Sequence, residues 1–353
     1  MLEIIRDLPR LEAVAGPWRE LAACNPAPMA GHEWAVAAAK TFGATTELAV
    51  FALWDGPRLR AVAPLGLSRV GPARRLQFLD RPLQEPDSLL FRDRAALEEL
   101  VDAVAGHHRA LALYGLPLDG EEEAALRGKR GGGLTLCGRP YVSHAALLPP
   151  TVAELDEQLS GNARTMLRRK LKAAQKLGAV AFSVETLDET NREAFMADLI
   201  RVEGSGWKRA NGTALADLPD QRKFYEHYLE LKAPGGTLRG YRMLIAGQVV
   251  AIRLGAVAGG RLYELKIGYD DAFRDCSPGM LLTHECLKAE IAEGIGVHEF
   301  LGGAEEWQKR WPLRINRHVT VRRYPLNLNG AAALAHDVFE QAGGRLRRMV
   351  RRG

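Results

Sequence analysis

Apolar residues in the first half of the chain recur at helical spacing around 18–23 and 32–42, then change to short alternating or continuous blocks. Arms at 47–54 and 59–68, with Asp55-Gly56 between them, predict a hairpin. A strand at 76–80, a helix at 94–105 and a strand at 110–116 follow. After a basic helical stretch at 152–177 and a strand at 180–186, the second half gives the same order more clearly. Helices at 191–203 and 221–232 precede arms at 238–245 and 249–257 that turn at Ala246-Gly247. A strand at 261–269, a loop at 270–278, a helix at 279–293 and a strand at 297–301 complete the pattern. Strands interleaved with helices indicate an α/β (α+β) layer architecture, and the repeated order indicates an internal duplication.

Length agrees with two units, because 353 residues exceed one ordinary domain. We expect domains at 1–150 and 151–330, followed by a basic helical tail at 331–353. Residues 134–137 and 141–148 read as strands, so the junction is not a low-complexity linker. Apolar residues make up 47% of the chain and charged residues 26%, as in a folded globular protein. No stretch approaches a membrane span and Met1 to Arg10 lacks an apolar leader core, which predicts a cytoplasmic protein. Cys24, Cys137, Cys276 and Cys286 are scattered without partner spacing, so neither a disulfide framework nor a metal site is expected.

Charge adds one qualification. The net +5 is concentrated in 164–176 and 345–352. Neither run is interleaved with aromatics, which argues against a nucleic-acid partner, while the tail would allow peripheral contact with a membrane surface. Arg164, Arg168, Arg169 and Lys172 share one side of their helix. That side is either solvated or meets a phosphate, a carrier protein or tRNA.

The segment richest in chemistry runs from Tyr263 to Leu282, a strand turning into a helix. Ser277 is placed to cap that helix, Pro278 suits its first turn, and Gly279 permits close approach of a ligand. The unpaired amides of a helix start favour a phosphate. The corresponding first-half loop carries Glu85 and Asp87, which would repel one. A phosphate-bearing ligand is therefore expected in the second half alone, with the first half shaping the rest of the cleft.

Gly206-Trp207-Lys208, Gly212-Thr213-Ala214, Phe224-Tyr225, Ser277-Pro278-Gly279 with Leu281-Leu282, and Glu299-Phe300 followed by Trp307 and Trp311 resemble the tandem GNAT acyltransferases of the CelD-like branch. The chain is more remotely similar to the Fem-type aminoacyl transferases. The resemblance covers 155–322 and implies two GNAT-like domains, each a mixed twisted sheet flanked by helices. It also implies direct acyl transfer from acyl-CoA or acetyl-CoA, bound as cosubstrate and not as a permanent cofactor, to an amine or hydroxyl acceptor. An acyl carrier protein is an alternative donor. Ile267, Gly268, Tyr269, Ser277, Pro278, Gly279, Met280 and Leu281 would hold the donor. Members of the branch often carry Lys one residue after the aromatic at Trp307, whereas this chain has Gln308 there and Lys309 next.

Direct attack on a thioester needs a base and oxyanion donors. Glu264 and Lys266, two apart on a predicted strand, are expected on one face, either aimed into the cleft or paired across the sheet. Glu203 is a second base candidate. Trp207, Lys208, Glu299, Trp307 and Lys309 are candidates for the acceptor site, and Trp311 is read as core. Cys276 beside the helix start would serve as a nucleophile only if its pKa were lowered. Two other functions compete with acyl transfer from CoA: aminoacyl transfer from tRNA in the Fem manner, and a catalytically degenerate scaffold in an envelope-polysaccharide system.

Overall fold

The computed structural model describes residues 1–128, 132–210 and 212–350; the side chains of Trp207, Ala210 and 343–350 lie outside the description. Two compact units are present. The first comprises Met1–Asn25, Met29–Tyr141 and Arg317–Gly353, the second Pro26–Pro28 and Val142–Asn316.

The first unit begins with β1 (Leu2–Ile5), α1 (Leu8–Ala13), α2 (Ala15–Ala22), α3 (His32–Phe42), β2 (Thr46–Leu48), β3 (Val50–Asp55), β4 (Arg58–Ala63), β5 (Leu65–Val70) and β6 (Ala73–Phe78). Then come β7 (Leu90–Phe91), α4 (Arg94–Gly106), β8 (Ala110–Pro117), α5 (Glu121–Gly128) and β9 (Gly133–Cys137). Each arm of the expected hairpin proves to be two strands. β3 and β4 pair in a sheet ordered β1-β3-β4-β7, whereas β2 and β5 belong to a second sheet with β6 and β8. The chain steps between sheets at Ala49 and Pro64, because Pro64 lacks an N–H and its carbonyl instead accepts from Leu79 N at 3.0 Å. Phe51, Leu65, Leu76, Phe78, Leu97, Leu100 and Leu113 fill the core.

The second unit holds β10 (Tyr141–Leu147), α6 (Val152–Gln158), α7 (Gly161–Gln175), β11 (Val180–Thr186), α8 (Arg192–Gly204), α9 (Trp207–Ala210) and α10 (Pro219–Lys232). It continues through β12 (Leu238–Ile245), β13 (Gln248–Ala258), β14 (Arg261–Tyr269), α11 (Pro278–Ala292), β15 (Val297–Glu299) and the start of β16 (Leu313–Pro325). The stretch expected as one helix over 152–177 is interrupted: Leu159 and Ser160 are extended, and the Ser160 side chain caps a new helix through Ala163 N. The β12–β13 turn is as expected, with Ala246 and Gly247 both at positive φ.

Strands run in the order β11-β12-β13-β14-β15-β10. α6, α7 and α11 cover one face, burying Leu155, Leu167, Leu281, Leu282 and Leu287 against Tyr241, Met243 and Leu262. α8 and α10 cover the other, where Gly240 and Gly268 bring α8 close; a Cβ on Gly268 would lie 2.9 Å from Glu203 Cα. Residues 317–325 of β16 and α12 (Leu328–Val350) are counted with the first unit, where Tyr324 and Asp337 hydrogen-bond at 2.5 Å. Among the described residues no helix is long and apolar enough to cross a membrane.

Candidate active site

β14 and β15 are parallel neighbours over three pairs, Arg261↔Val297, Leu262↔His298 and Tyr263↔Glu299, and part beyond them. From Glu264 to Tyr269, β14 is therefore laddered on its β13 side alone. Asp270 N donates to Val250 O at 2.8 Å. By the alternation of an antiparallel ladder, Gly268 and Lys266 bond toward β13, and Ile267 and Tyr269 turn their backbone groups to the open edge. That edge leads to α11.

Register slips once along β14. Leu254 faces Lys266 but Gly255 faces Glu264, so Leu265 is bulged out of the ladder. The extra residue reverses side-chain parity, and Glu264 and Lys266 fall on opposite faces, contrary to the expectation from their spacing. Lys266 stays on the α10 side, where its ammonium is 5.0 Å from the centre of the Tyr225 ring and 3.3 Å from Gln221 Oε1.

Glu264 lies on the α11 side in a buried ionic network. Its Oε2 is 2.9 Å from Arg253 Nη1 and 3.3 Å from His298 Nε2, while His298 Nδ1 is 2.9 Å from Glu290. Arg253 Nη2 also donates to Thr283 Oγ1 at 2.7 Å. Burial alone would lower the His298 pKa, but Glu290 and Glu264 outweigh it and raise it to about 9.

Glu203, on α8, is also fully buried and committed. It pairs with Lys208 and accepts from Leu215 N at 2.8 Å. Lys208 Nζ additionally donates to Ile267 O at 2.7 Å, on the open edge of β14. The Trp207 side chain lies outside the described residues.

At α11 the helix start departs from simple capping. Ser277 is left-handed (φ 50, ψ 57) and makes no side-chain cap bond. Its carbonyl instead receives the amides of Met280 and Leu281, and Gly279 contributes one of the amides that find no acceptor within a first turn. A Cβ at Gly279 would meet Tyr269 Cδ1 at 3.5 Å, an ordinary contact. α7 packs against both α11 and the preceding 271–276 turn, and Lys170 Nζ donates to Asp275 O at 2.6 Å. Arg168, Arg169 and Lys172 are exposed beside it. The turn is acidic as well, but Asp270 points back to cap Ala272 N. Cys276 is buried, and burial raises its thiol pKa, opposite to what a nucleophile at a helix start requires.

Glu299, opposite Tyr263 where the strands part, is held by Arg261 Nη1 at 2.6 Å, Arg314 Nη2 at 3.1 Å and Asn316 Nδ2 at 2.8 Å. Sequence reading missed both arginines and Asn316, since no local motif links β14 to β16. Trp307 packs edge-on against Phe300 at 5.4 Å, and Lys309 is exposed beside Glu306. Trp311 is buried, stacked on His284. Gln308 is buried too, its Oε1 bonding both His144 Nδ1 and Glu305 N at 2.8 Å.

Residues 161–309 match the family described as "Acetyltransferase (GNAT) domain". No curated protein sequence matches the chain. Among solved structures, FemX superposes with a TM-score of 0.60 at 15% identity, covering 93% of this chain and 98% of its own. A conserved protein of unknown function from Bacteroides thetaiotaomicron gives 0.56 at 12%, covering 91% and 99%. The C-terminal domain of a putative lysylphosphatidylglycerol synthetase from Agrobacterium fabrum gives 0.55 at 11%, covering 92% and 94%. These likenesses extend the shared fold over most of the chain, an α+β arrangement of mixed sheets flanked by helices. The parted strands, the bulge and the α11 start all fall inside residues 161–309, the segment that matches the GNAT domain.

Proposed function

We propose that the second unit transfers an acyl group from acyl-CoA, or from an acyl carrier protein, to an amine or hydroxyl acceptor. The observation that carries this reading is the open edge of β14 from Glu264 to Tyr269, ending at α11. An extended thioester arm completes such an edge by backbone hydrogen bonding, as an added strand does. Its pyrophosphate then reaches the amide of Gly279 at the α11 start, where the helix dipole favours negative charge. The exposed cations of α7 add to that field.

The thioester carbon is placed near the Leu265 bulge, where β14 and β15 part. The acceptor's nitrogen or oxygen attacks it directly, the new bond forms as the C–S bond breaks, and the acceptor's proton passes to the departing sulfur, which leaves as the thiol. We assign Lys266, on the α10 face, to the acceptor side of the sheet. Glu264 and Glu203, each locked to a cation, are assigned to holding β14 against its neighbours and not to carrying the proton.

Isothermal titration with acetyl-CoA and longer acyl-CoAs tests the donor site. Binding at micromolar or tighter dissociation constants supports it, and no binding by the folded protein removes it. The same thioesters offered with a panel of amines would then identify the transfer.

A further inference from the structure

The point where β14 and β15 part carries a charge arrangement that donor binding does not use. Alternation along β15 sends His298 to the α11 face and Glu299 to the other, so Tyr263, Glu299 and Arg261 share the face that bears Lys266. Arg261 and Arg314 converge on one oxygen, Glu299 Oε1, while Asn316 takes Oε2. One carboxylate thus holds two guanidiniums, and the cluster keeps a net positive charge.

Exposure gives that charge a direction. The Glu299 side chain is 9% exposed, but those of Arg261 and Arg314 are 34% and 39% exposed. Arg261 spends one N–H on Glu299, and Arg314 one on Glu299 and one on Asn316, which leaves most of each guanidinium fork without a protein acceptor among the described residues. Holding two partly exposed like charges together around a buried anchor prepares a site for a second anion.

We propose that Arg261 and Arg314 bind an oxyanion, carboxylate or phosphate, carried by the acceptor, and so hold its nucleophile where the strands part. Glu299 is the positioning residue that sets the two forks. This inference rests on the acyl-transfer reading for the acceptor's role, but the anion site itself does not require it.

Titration of succinate and of inorganic phosphate into the protein without any thioester is the first test. The wild type should bind at least one of them, and folded Arg261→Gln and Arg314→Gln variants should bind about tenfold more weakly or worse. With acetyl-CoA as donor, glycine, phosphoethanolamine and ethanolamine then separate the sources: the preferred anion-bearing amine should show a KM about tenfold below that of ethanolamine. Arg314→Gln should erase that difference while leaving acetyl-CoA affinity nearly unchanged. Failure of the wild type to bind either anion, or equal binding by a folded Arg314→Gln variant, overturns the proposal. Anion binding without acetyl-CoA binding would uphold this site and discard the donor reading; the reverse pattern would do the opposite.

Discussion

The Lys208 ammonium donates to the Ile267 carbonyl at 2.7 Å, on the edge of β14 that β13 does not cover, and at the same time neutralises the buried Glu203 carboxylate. One lysine therefore ties the segment after α8 to the strand edge. Replacing it by methionine leaves Glu203 buried without a counterion, a change that costs about 3 kcal/mol. Lys208→Met should lower the denaturant midpoint accordingly, and the double variant Lys208→Met with Glu203→Gln should recover part of the loss. Equal midpoints for wild type and Lys208→Met would show that the pair carries no stability.

Glu264 is surrounded by Arg253 and His298 and is nearly inaccessible. Glu264→Gln keeps the shape but removes the charge that those cations face. The expected outcome is a lower melting temperature with an acyl-transfer rate per folded molecule within about threefold of wild type, well short of the hundredfold typical for loss of a general base. A large rate loss at unchanged stability would return the proton to Glu264.

His298 makes stability depend on pH in a definite sense. Its folded pKa is raised to about 9 by Glu290 and Glu264, above the ordinary value near 6.5. The stabilisation is fully present below about pH 6.5 and is lost as pH rises through about 9, a contribution of about 3 kcal/mol. Chemical denaturation at pH 6.5 and pH 9.5 should show that decline, and His298→Gln should flatten it. The same slope in the variant would place the titration elsewhere.

Gly279 and Gly268 make a contrasting pair. A Cβ at 279 meets only Tyr269 at ordinary distance, so Gly279→Asp should fold normally and lose CoA affinity by about tenfold or more through repulsion of the phosphates. Unchanged affinity in that variant takes the α11 start out of the donor site.

At Gly268 a Cβ would fall 2.9 Å from Glu203 Cα and 3.0 Å from Glu203 N, both backbone atoms of α8. Gly268→Ala should therefore cost about 1–3 kcal/mol by pushing α8 off the strand. Thermal melts of Gly268→Ala beside Gly279→Ala compare the two directly. An undiminished melting temperature for Gly268→Ala would mean that the helix can yield.

Local pattern was enough for the elements that stand alone on periodicity. β11, β12 and β14 lie where alternation put them, and the α11 start follows from Ser277-Pro278-Gly279. Cues that are short in sequence also marked Ala246-Gly247 as a turn. They did not show that Ser160 restarts a helix inside a basic run, or that Pro64 moves a strand from one sheet to another. Those breaks depend on which partner strand or helix face is available, and propensity does not contain that information.

The sequence by itself determined the strand–turn–helix from β14 to α11 and the residue types around it, because turn chemistry and hydrophobic period act over a few neighbours. Only the tertiary structure decided which side chains meet. One bulged residue, Leu265, separates Glu264 from Lys266 and sends the first into a network with Arg253 and His298. Arg261, Glu299 and Arg314 come together across three strands and 54 positions of chain. Side-chain parity is a property of strand registry, and registry is set by pairing between distant segments, so a single misplaced residue reverses every face assignment beyond it.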